Sequence, residues 1–266
     1  INRDTKGNLK EATGMRSRAS SMYKPGQSDT FKISRSKFSD YINCKRCFYL
    51  DRVKGLASPS MPGWSLNIAV DDLLKKEFDD YRKKQQPHPI FKEYNLNFIP
   101  YEHEDLDKWR NSLAGGISYH DQDTNLIIQG GVDDIWYDLD TKKLVVLDYK
   151  AQSSNHPVEQ ESYLESVYHQ GYKMQLDFYV YVLRQMGFDV SDDAYFLVCN
   201  GEKTADAFNN QLIFTSKLIK YKTNVEWISG EIKSMKALLD SNEIPDRNPC
   251  CENCAYIEQA NKLADE

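Results

Sequence analysis

The sequence predicts an α/β fold in which a central mixed sheet is flanked by helices. Segments with helical periodicity alternate with short apolar segments typical of strands, in the order helix, three strands, helix, strand, with further helices on either side. The chain has 266 residues, of which 40% are hydrophobic and 12% aromatic. That length and composition suffice for one substantial core and indicate a single globular domain with insertions.

Helical periodicity predicts two helices in the first third of the chain. Residues 36–53 form the first, with Ser34 or Ser36 as its N-cap. A Pro/Gly/Ser-rich break at 58–63 precedes a second helix at 65–84. Asp71 is expected at the edge of the apolar stripe of this helix, where a polar group can face a site that borders the core. The stripe consists of Leu66, Ala69, Val70, Leu73, Leu74 and Tyr81.

The pattern changes to strands in the middle of the chain and returns to helices toward its end. Alternating and apolar segments predict three successive strands, the last two joined by a turn at 140–143. A long helical segment follows and is expected to bend or break at Gly171. The predicted elements are a short helix at 102–113, strands at 125–129, 132–139 and 144–149, a helix at 161–186, strands at 194–199 and 211–215, and a helix at 224–239.

Charge is unevenly distributed along the chain. The net charge is −6, yet residues 1–37 carry nine basic and three acidic side chains, so the remainder carries −12. This asymmetry predicts a basic flexible arm on an acidic globule. Beside phosphate such an arm would add salt-sensitive affinity, and the alternative is a solvated tail without a partner.

The predicted domain layout follows from these patterns. A globular unit is expected between the arm and a short tail. The boundaries are 1–33 for the arm, 34–256 for the domain with its sheet core at about 65–200 and its cysteine-bearing segments at 36–53 and 245–256, and 257–266 for the tail.

Neither a membrane span nor an export signal is expected. No apolar run approaches the ~20 residues that a membrane span needs, and the N-terminus lacks the apolar core of a secretory signal. We therefore expect a soluble protein of the cytoplasm. Its six cysteines are then reduced thiols or metal ligands rather than disulfides.

Charged residues gather where two of the predicted strands end. Asp148 and Lys150 are two apart and therefore share one face of their strand, while Tyr149 points to the other. Asp133 lies on the preceding strand and can bring a second carboxylate to the same edge. Two carboxylates and a backbone carbonyl form a hard oxygen site that suits Mg²⁺ or Mn²⁺. The alternatives are a structural ion pair, or a shifted register in which Asp134 replaces Asp133.

Three ordered motifs resemble those of a known family. Gly130-Gly131-Val132-Asp133, then Asp148-Tyr149-Lys150, then Gln175 and Tyr179 one helical turn apart are similar to the motifs of PD-(D/E)XK nucleases. The similarity is to the RecB-like branch, which includes CRISPR-associated exonucleases and helicase-linked exonucleases. It implies a restriction-endonuclease-like core with an added helical periphery.

The resemblance also implies a function. It identifies a Mg²⁺- or Mn²⁺-dependent DNA nuclease, exonuclease-like, that hydrolyses phosphodiester bonds with a metal-activated water. Asp133 and Asp148 would bind the metal, Lys150 would orient or deprotonate the water, and Gln175 with Tyr179 would steady the active site or the DNA backbone. Its partners would be single- or double-stranded DNA and a helicase or other DNA-processing protein, as in DNA repair.

One position departs from the family pattern. Asp71 stands where the family commonly has a histidine, in Asn67-Ile68-Ala69-Val70-Asp71. Aspartate can also bind a hard cation, so Asp71 is a candidate third metal ligand or else an ordinary surface acid of the helix. This departure and the acidic globule keep an alternative open, a catalytically inactive nuclease-fold module that binds DNA or protein. A restriction-type endonuclease is a third hypothesis.

The cysteines suggest a second metal site. Cys44-x-x-Cys47 and Cys251-x-x-Cys254 form two CxxC pairs that would bind Zn²⁺ or a 4Fe–4S cluster if they meet in space. In the similar family, members that carry an iron–sulfur cluster have one cysteine before the core and three after it. Here Ala260 occupies the position of the last expected ligand, and Cys47 could supply the fourth thiolate. The alternative is a remnant site with reduced thiols.

Overall fold

The computed structural model describes residues 1–59 and 63–265. Within these ranges the chain forms helices and strands in mixed order. The strands are β1 (Phe31–Ser34), β2 (Phe98–Pro100), β3 (Ile117–Asp121), β4 (Leu126–Gly130), β5 (Asp134–Asp138), β6 (Leu144–Gln152), β7 (Asp193–Gly201) and β8 (Phe214–Lys222). The α-helices are α1 (Arg35–Asn43), α2 (Lys45–Arg52), α3 (Ser65–Lys84), α4 (Pro89–Glu93), α5 (Leu106–Arg110), α6 (Gln160–Glu165), α7 (Gln170–Gln185), α8 (Glu226–Asp240) and α9 (Glu252–Ala264).

A five-stranded mixed sheet with the order β2-β5-β6-β7-β8 forms the centre of the fold. β6 and β7 are parallel, and the other neighbouring strands are antiparallel. Side chains alternate along β6, so that Val146 joins the larger core while Val145 and Leu147 join a smaller one. Helices cover both faces of the sheet, and the predicted α/β class is confirmed.

A second sheet of three strands contains a segment that was expected among the central strands. β4, predicted as 125–129, pairs in parallel with β1 and antiparallel with β3. The sequence analysis did not identify β1 or β3, because each has only four or five residues and its pattern is too short to stand out. This sheet brings the end of β4 close to α7.

The first predicted helix is divided in two. Ser34, one of the two predicted N-caps, caps α1 by accepting a hydrogen bond from the backbone N–H of Lys37 at 3.4 Å. Cys44 then adopts an extended conformation, with φ −157°, and separates α1 from α2. The long predicted helix at 161–186 is divided as well, because α6 ends at Glu165 and a 3₁₀ turn precedes α7.

The bounds of α3 agree with the prediction, but its apolar stripe does not lie in the core. Leu66 and Leu73 are 58% and 63% exposed, whereas Phe78 and Arg82 are buried. Periodicity shows which residues share a face, but not whether another layer covers that face. The buried residues of α3 lie in its C-terminal half, whereas its first half lines a cleft.

Both ends of the chain make contacts with the domain. Tyr23 is buried and its hydroxyl donates a hydrogen bond to Asp240 at 2.6 Å. Residues 31–33, which the sequence assigns to the arm, belong to the buried strand β1. The predicted tail is largely the helix α9. Residues 60–62 of the predicted break and the last tail residue, 266, lie outside the described residues. Along the described chain, none of the helices has the length and apolar content to cross a membrane.

Candidate active site

A cleft of about 530 Å³ opens where the end of β6 meets α3 and α7. Its lining includes Asp71 from α3, Asp133 just before β5, Lys150 from β6 and Gln175 from α7. The structure thus brings these residues, which are separated in sequence, to one edge of the central sheet. Asp148 is fully buried beneath the cleft, and Tyr179 is 2% exposed.

Asp133 and Asp134 point to different surroundings. A carboxylate oxygen of Asp133 accepts a hydrogen bond from the backbone N–H of Tyr149 at 2.9 Å, which ties it to β6. Asp134 instead forms ion pairs with Arg82 and Arg110 away from the cleft. Of the two alternatives in the sequence, Asp133 is therefore the carboxylate that lines the site.

The side chains of Asp148 and Lys150 meet on one face of β6. The Lys150 amine contacts Oδ2 of Asp148 in an ion pair. Gln175 donates from Nε2 to the other oxygen, Oδ1, at 2.6 Å. The same Nε2 donates to the Tyr179 hydroxyl at 3.1 Å. Tyr149, on the opposite face of β6, donates its hydroxyl hydrogen to Asp134 at 2.9 Å. The alternation predicted for residues 148–150 is thus observed.

The charges of the site influence one another strongly. Burial, reinforced by the Asp148 carboxylate, raises the pKa of Asp133 to about 7. Burial alone would lower the pKa of Lys150, but the Asp148 and Asp133 carboxylates outweigh it and hold that pKa above its ordinary value. The Asp133 and Asp148 carboxylates are therefore close enough to interact, and the Lys150 ammonium group offsets part of their charge.

Asp71 lies at the rim of the same group. Burial and the nearby Asp133 raise its pKa, while Lys75 opposes that shift. The Lys75 amine lies 2.6 Å from Oδ2 of Asp71, one helical turn along α3. This ion pair is a contact that the i, i+4 spacing could have indicated.

The donor set suits a hard divalent cation. Asp71, Asp133 and Asp148 offer carboxylate oxygens, the ligands that Mg²⁺ and Mn²⁺ prefer. A cation would also offset the repulsion that raises the pKa of Asp133. In the described residues these three carboxylates are not gathered as closely as the ligands of a closed metal site, and Lys150 and Gln175 contact the oxygens of Asp148. By the chemistry of their oxygens, Asp71, Asp133 and Asp148 are the residues that would hold such a cation.

Glycine at the end of β4 lets α7 approach the sheet. A Cβ added to Gly130 would lie 2.8 Å from Cε1 of Tyr179 and 3.2 Å from the Cβ of Arg35. Tyr179 is buried and cannot move aside easily. Gly130 of the Gly-Gly-Val-Asp motif therefore permits the packing that holds Tyr179 beside Gln175.

Sequence reasoning missed several residues around the site. Arg35 lines the cleft from α1, and nothing in its sequence context indicated this. Tyr172 lies three residues before Gln175, so helical spacing could have identified it. Its ring centroid is 4.6 Å from the Lys150 amine, within the range of a cation–π interaction.

The four predicted cysteines meet where the α1–α2 junction contacts the start of α9. The sulfur of Cys47 lies 3.3 Å from that of Cys254 and 3.6 Å from that of Cys251, and Cys44 lies 3.7 Å from Cys254. In the described chain this is the one group of three or more candidate metal ligands whose atoms all lie within 4.8 Å of one another. Four sulfurs around a tetrahedral zinc would be separated by about 3.8 Å, given Zn–S bonds of about 2.3 Å. The four cysteines are thus positioned to bind a metal.

The remaining cysteines lie apart from this group. Cys250 is exposed, and Cys199 is buried in β7 near the hydroxyl of Ser216.

Comparison with known proteins places this fold and site in context. A search of curated proteins gives no match. Among solved structures, one from Eubacterium rectale, described as a "Putative exonuclease", is similar with 13% sequence identity and a TM-score of 0.40. The alignment covers 85% of this chain and 87% of that one. Residues 63–259, most of the chain, match the family described as the PD-(D/E)XK nuclease superfamily. The chain therefore belongs to the PD-(D/E)XK nuclease superfamily.

Proposed function

We propose that this protein is a metal-dependent DNA nuclease of the RecB-like branch, with exonuclease-like action. The observation that carries the proposal is the crowding of three charged groups at one sheet edge, where Asp133 and Lys150 line the cleft and Asp148 lies buried beneath it in an ion pair with Lys150. Such crowding is costly for a fold unless the groups serve a ligand or a reaction. Membership of a nuclease superfamily indicates which reaction that is.

The chain's residues take distinct roles in the proposed hydrolysis. Asp133 and Asp148, with Asp71 as a third ligand, would hold Mg²⁺ or Mn²⁺. The bound ion would acidify water and offset negative charge on the phosphoryl oxygens. Lys150 orients the attacking water and, as a cation, attracts the scissile phosphate. Its contact with Asp148 keeps the amine at the sheet edge until substrate and ion arrive.

Gln175 and Tyr179 act as positioning residues in this proposal. The amide of Gln175 fixes the orientation of the Asp148 carboxylate, and Tyr179 fixes the amide. Hydrogen bonds of this kind orient metal ligands and tune their affinity.

The proposed substrate is DNA. Residues 1–37 carry a net charge of +6, and side chains such as Lys10 and Lys24 are exposed on the basic arm. These cations can bind phosphates beyond the cleft. On family grounds we further propose that the protein works in the cytoplasm with a helicase or another DNA-processing protein, as in DNA repair.

The four-cysteine site is proposed to hold Zn²⁺ or a 4Fe–4S cluster. It connects the α1–α2 junction to the start of α9, and so would join the two ends of the domain. Metal analysis and an absorption spectrum of anaerobically purified protein identify the ion. Cys254→Ser should lose the metal, whereas Cys250→Ser, on an exposed neighbour outside the group, should retain it. Full metal content in Cys254→Ser would contradict this assignment.

Cleavage of DNA by the purified protein tests the nuclease proposal. We expect cutting with Mg²⁺ or Mn²⁺ and its loss in Lys150→Ala. Lys233→Ala is the matched control, because Glu231-Ile232-Lys233 repeats the acid-x-Lys pattern on the surface of α8, where Lys233 pairs with Asp123. Equal cutting by wild type and Lys150→Ala would refute the proposed role of Lys150.

A second candidate is a nuclease-fold module that binds DNA or protein without cutting. It is favoured by one observation, that Asp71 and Asp148 each have a cationic partner, Lys75 and Lys150, within the chain. These ion pairs could neutralise the site without a metal. Calorimetry separates the two functions, since binding of Mn²⁺ that disappears in Asp133→Asn supports the nuclease, and absence of any such binding supports the module.

A further inference from the structure

A large aromatic side chain is exposed at the rim of the candidate active site. Trp64 immediately precedes α3 and is 72% exposed. Ile68, one turn further, is 54% exposed, and both residues line the cleft that contains Asp133 and Lys150. The other tryptophans are more enclosed, with Trp109 and Trp136 at 2% and 0%. An apolar patch that borders a polar site is a candidate contact surface.

A second aromatic side chain lines the same cleft. Tyr172 lies on α7, and one face of its ring packs against the Lys150 amine. The cleft is therefore lined by a tryptophan and a tyrosine together with the lysine that would meet the scissile phosphate. The planar faces of nucleobases stack on such rings with little dependence on sequence.

Positive charge lines the cleft beside these aromatic side chains. Arg35 and Lys150 both line the cleft. Over residues 1–59 and 63–265, the guanidinium of Arg35 forms no ion pair with a carboxylate, so its charge is available to a phosphate. Cations that follow a phosphate backbone, together with aromatic rings that accept bases, form the usual binding surface for a single strand. In a duplex the base faces are already stacked and paired, so they are not available to Trp64.

We propose that Trp64, supported by Ile68, stacks on an unpaired base next to the phosphate at Lys150. The occupant of this apolar rim is thus single-stranded nucleic acid, and Trp64 is a determinant of preference for unpaired ends. The inference rests on the proposed nuclease function for its placement of the phosphate. Stacking itself can be measured without cutting.

The test measures binding of labelled single-stranded DNA oligonucleotides in EDTA, using Lys150→Ala as a background that does not cut. Trp64→Ala should weaken binding by roughly 5- to 150-fold, the range given by loss of one stacked base. Trp64→Phe should restore most of the affinity. Tyr256→Ala is the control, because Tyr256 is 77% exposed on α9 and lies away from the cleft.

An abasic scan identifies the contact. A single abasic site moved along the oligonucleotide should weaken binding to the Trp64-containing protein at one position, and Trp64→Ala should be insensitive at that position. Equal affinity and an equal abasic profile for the two proteins would overturn the inference. So would a change in self-association of Trp64→Ala without a change in oligonucleotide affinity, since the patch would then serve a second copy of the chain.

The two proposals can fail separately. Cutting that depends on Lys150 but binding that is unaffected by Trp64→Ala would overturn the stacking inference and leave the nuclease function intact. Stacking without cutting in either Mg²⁺ or Mn²⁺ would support the inference and remove the nuclease proposal.

Discussion

The amide of Gln175 connects Asp148 to Tyr179. Its Nε2 lies 2.6 Å from Oδ1 of Asp148 and 3.1 Å from the Tyr179 hydroxyl. Both amide hydrogens are thereby used, and the carboxylate is left with one oxygen for Lys150. The buried helix α7 thus determines how a carboxylate on β6 faces the cleft.

Replacement of Gln175 by alanine should reduce activity more than stability. Loss of the donor leaves Asp148 free to rotate, so we expect a 10- to 100-fold lower metal affinity or cutting rate, roughly the effect of removing an outer hydrogen-bond partner of a metal ligand. Calorimetry with Mn²⁺ and cleavage rates provide the measurement. Gln170→Ala, on the same helix with hydrogen bonds only to backbone carbonyls, is the control. Unchanged metal affinity in Gln175→Ala would contradict the positioning role.

Much of this arrangement follows from local sequence patterns. Strand alternation is sufficient to place Asp148 and Lys150 on one face, and helical spacing places Gln175 and Tyr179 on another, because both periods are fixed by backbone geometry. Motif order then indicates that the two faces meet. The two CxxC pairs similarly indicate a common site for their four thiols, which the structure brings together.

Other features depend on contacts that no local pattern contains. Asp134 looks like an equal candidate beside Asp133, and only its ion pairs with Arg82 and Arg110 show that it faces away from the cleft. Leu66 has a favourable position for a core residue, yet no layer covers it. Helical periodicity shows which residues share a face of the helix. Whether that face is buried depends on which distant segment packs against it.

The contrast between Asp133 and Asp134 can be measured. Asp134→Asn should lower the free energy of unfolding by about 3 kcal/mol, since the buried guanidinium groups of Arg82 and Arg110 lose their fully buried carboxylate and keep only the partly exposed Asp79. Asp133→Asn should not destabilise the metal-free protein, because it removes a buried charge that is already unfavourable. Urea unfolding of both variants tests this, and equal destabilisation by the two changes would contradict the assignment.

Close packing at Gly130 gives another test. Gly130→Ala should lower the free energy of unfolding by about 1–3 kcal/mol, because its Cβ would press against the buried ring of Tyr179. Gly171→Ala is the matched control in α7, where an added Cβ has no atom within 4 Å. That variant should be neutral or more stable by up to ~1 kcal/mol, since alanine favours the helix. Thermal or urea unfolding gives both values, and equal stability of Gly130→Ala and wild type would show that α7 can shift.

The pH dependence of stability should contain a contribution from Asp177. This carboxyl group lies 5% exposed between α7 and α8, where burial raises its pKa to about 6 although the backbone N–H of Asn224 donates to it at 2.9 Å. The folded state therefore retains a proton that the unfolded state loses near pH 4. Accordingly, the free energy of unfolding should fall as pH rises from about 4 to about 6, by up to roughly 3 kcal/mol, and this contribution should be constant at higher pH.

Asp177→Asn should flatten this fall in the free energy of unfolding. The amide that replaces the carboxyl group cannot ionise, yet it retains an acceptor oxygen for the N–H of Asn224. Urea unfolding at intervals between pH 4 and pH 7 measures the slope. Asp192→Asn is the control. The carboxylate of Asp192 is largely exposed, and its ion pair with Arg184 helps to lower its pKa, so Asp192 should not titrate between pH 4 and pH 7. An equally steep decline in Asp177→Asn would mean that the proton is held elsewhere, whereas a slope reduced only in that variant assigns the decline to the α7–α8 contact.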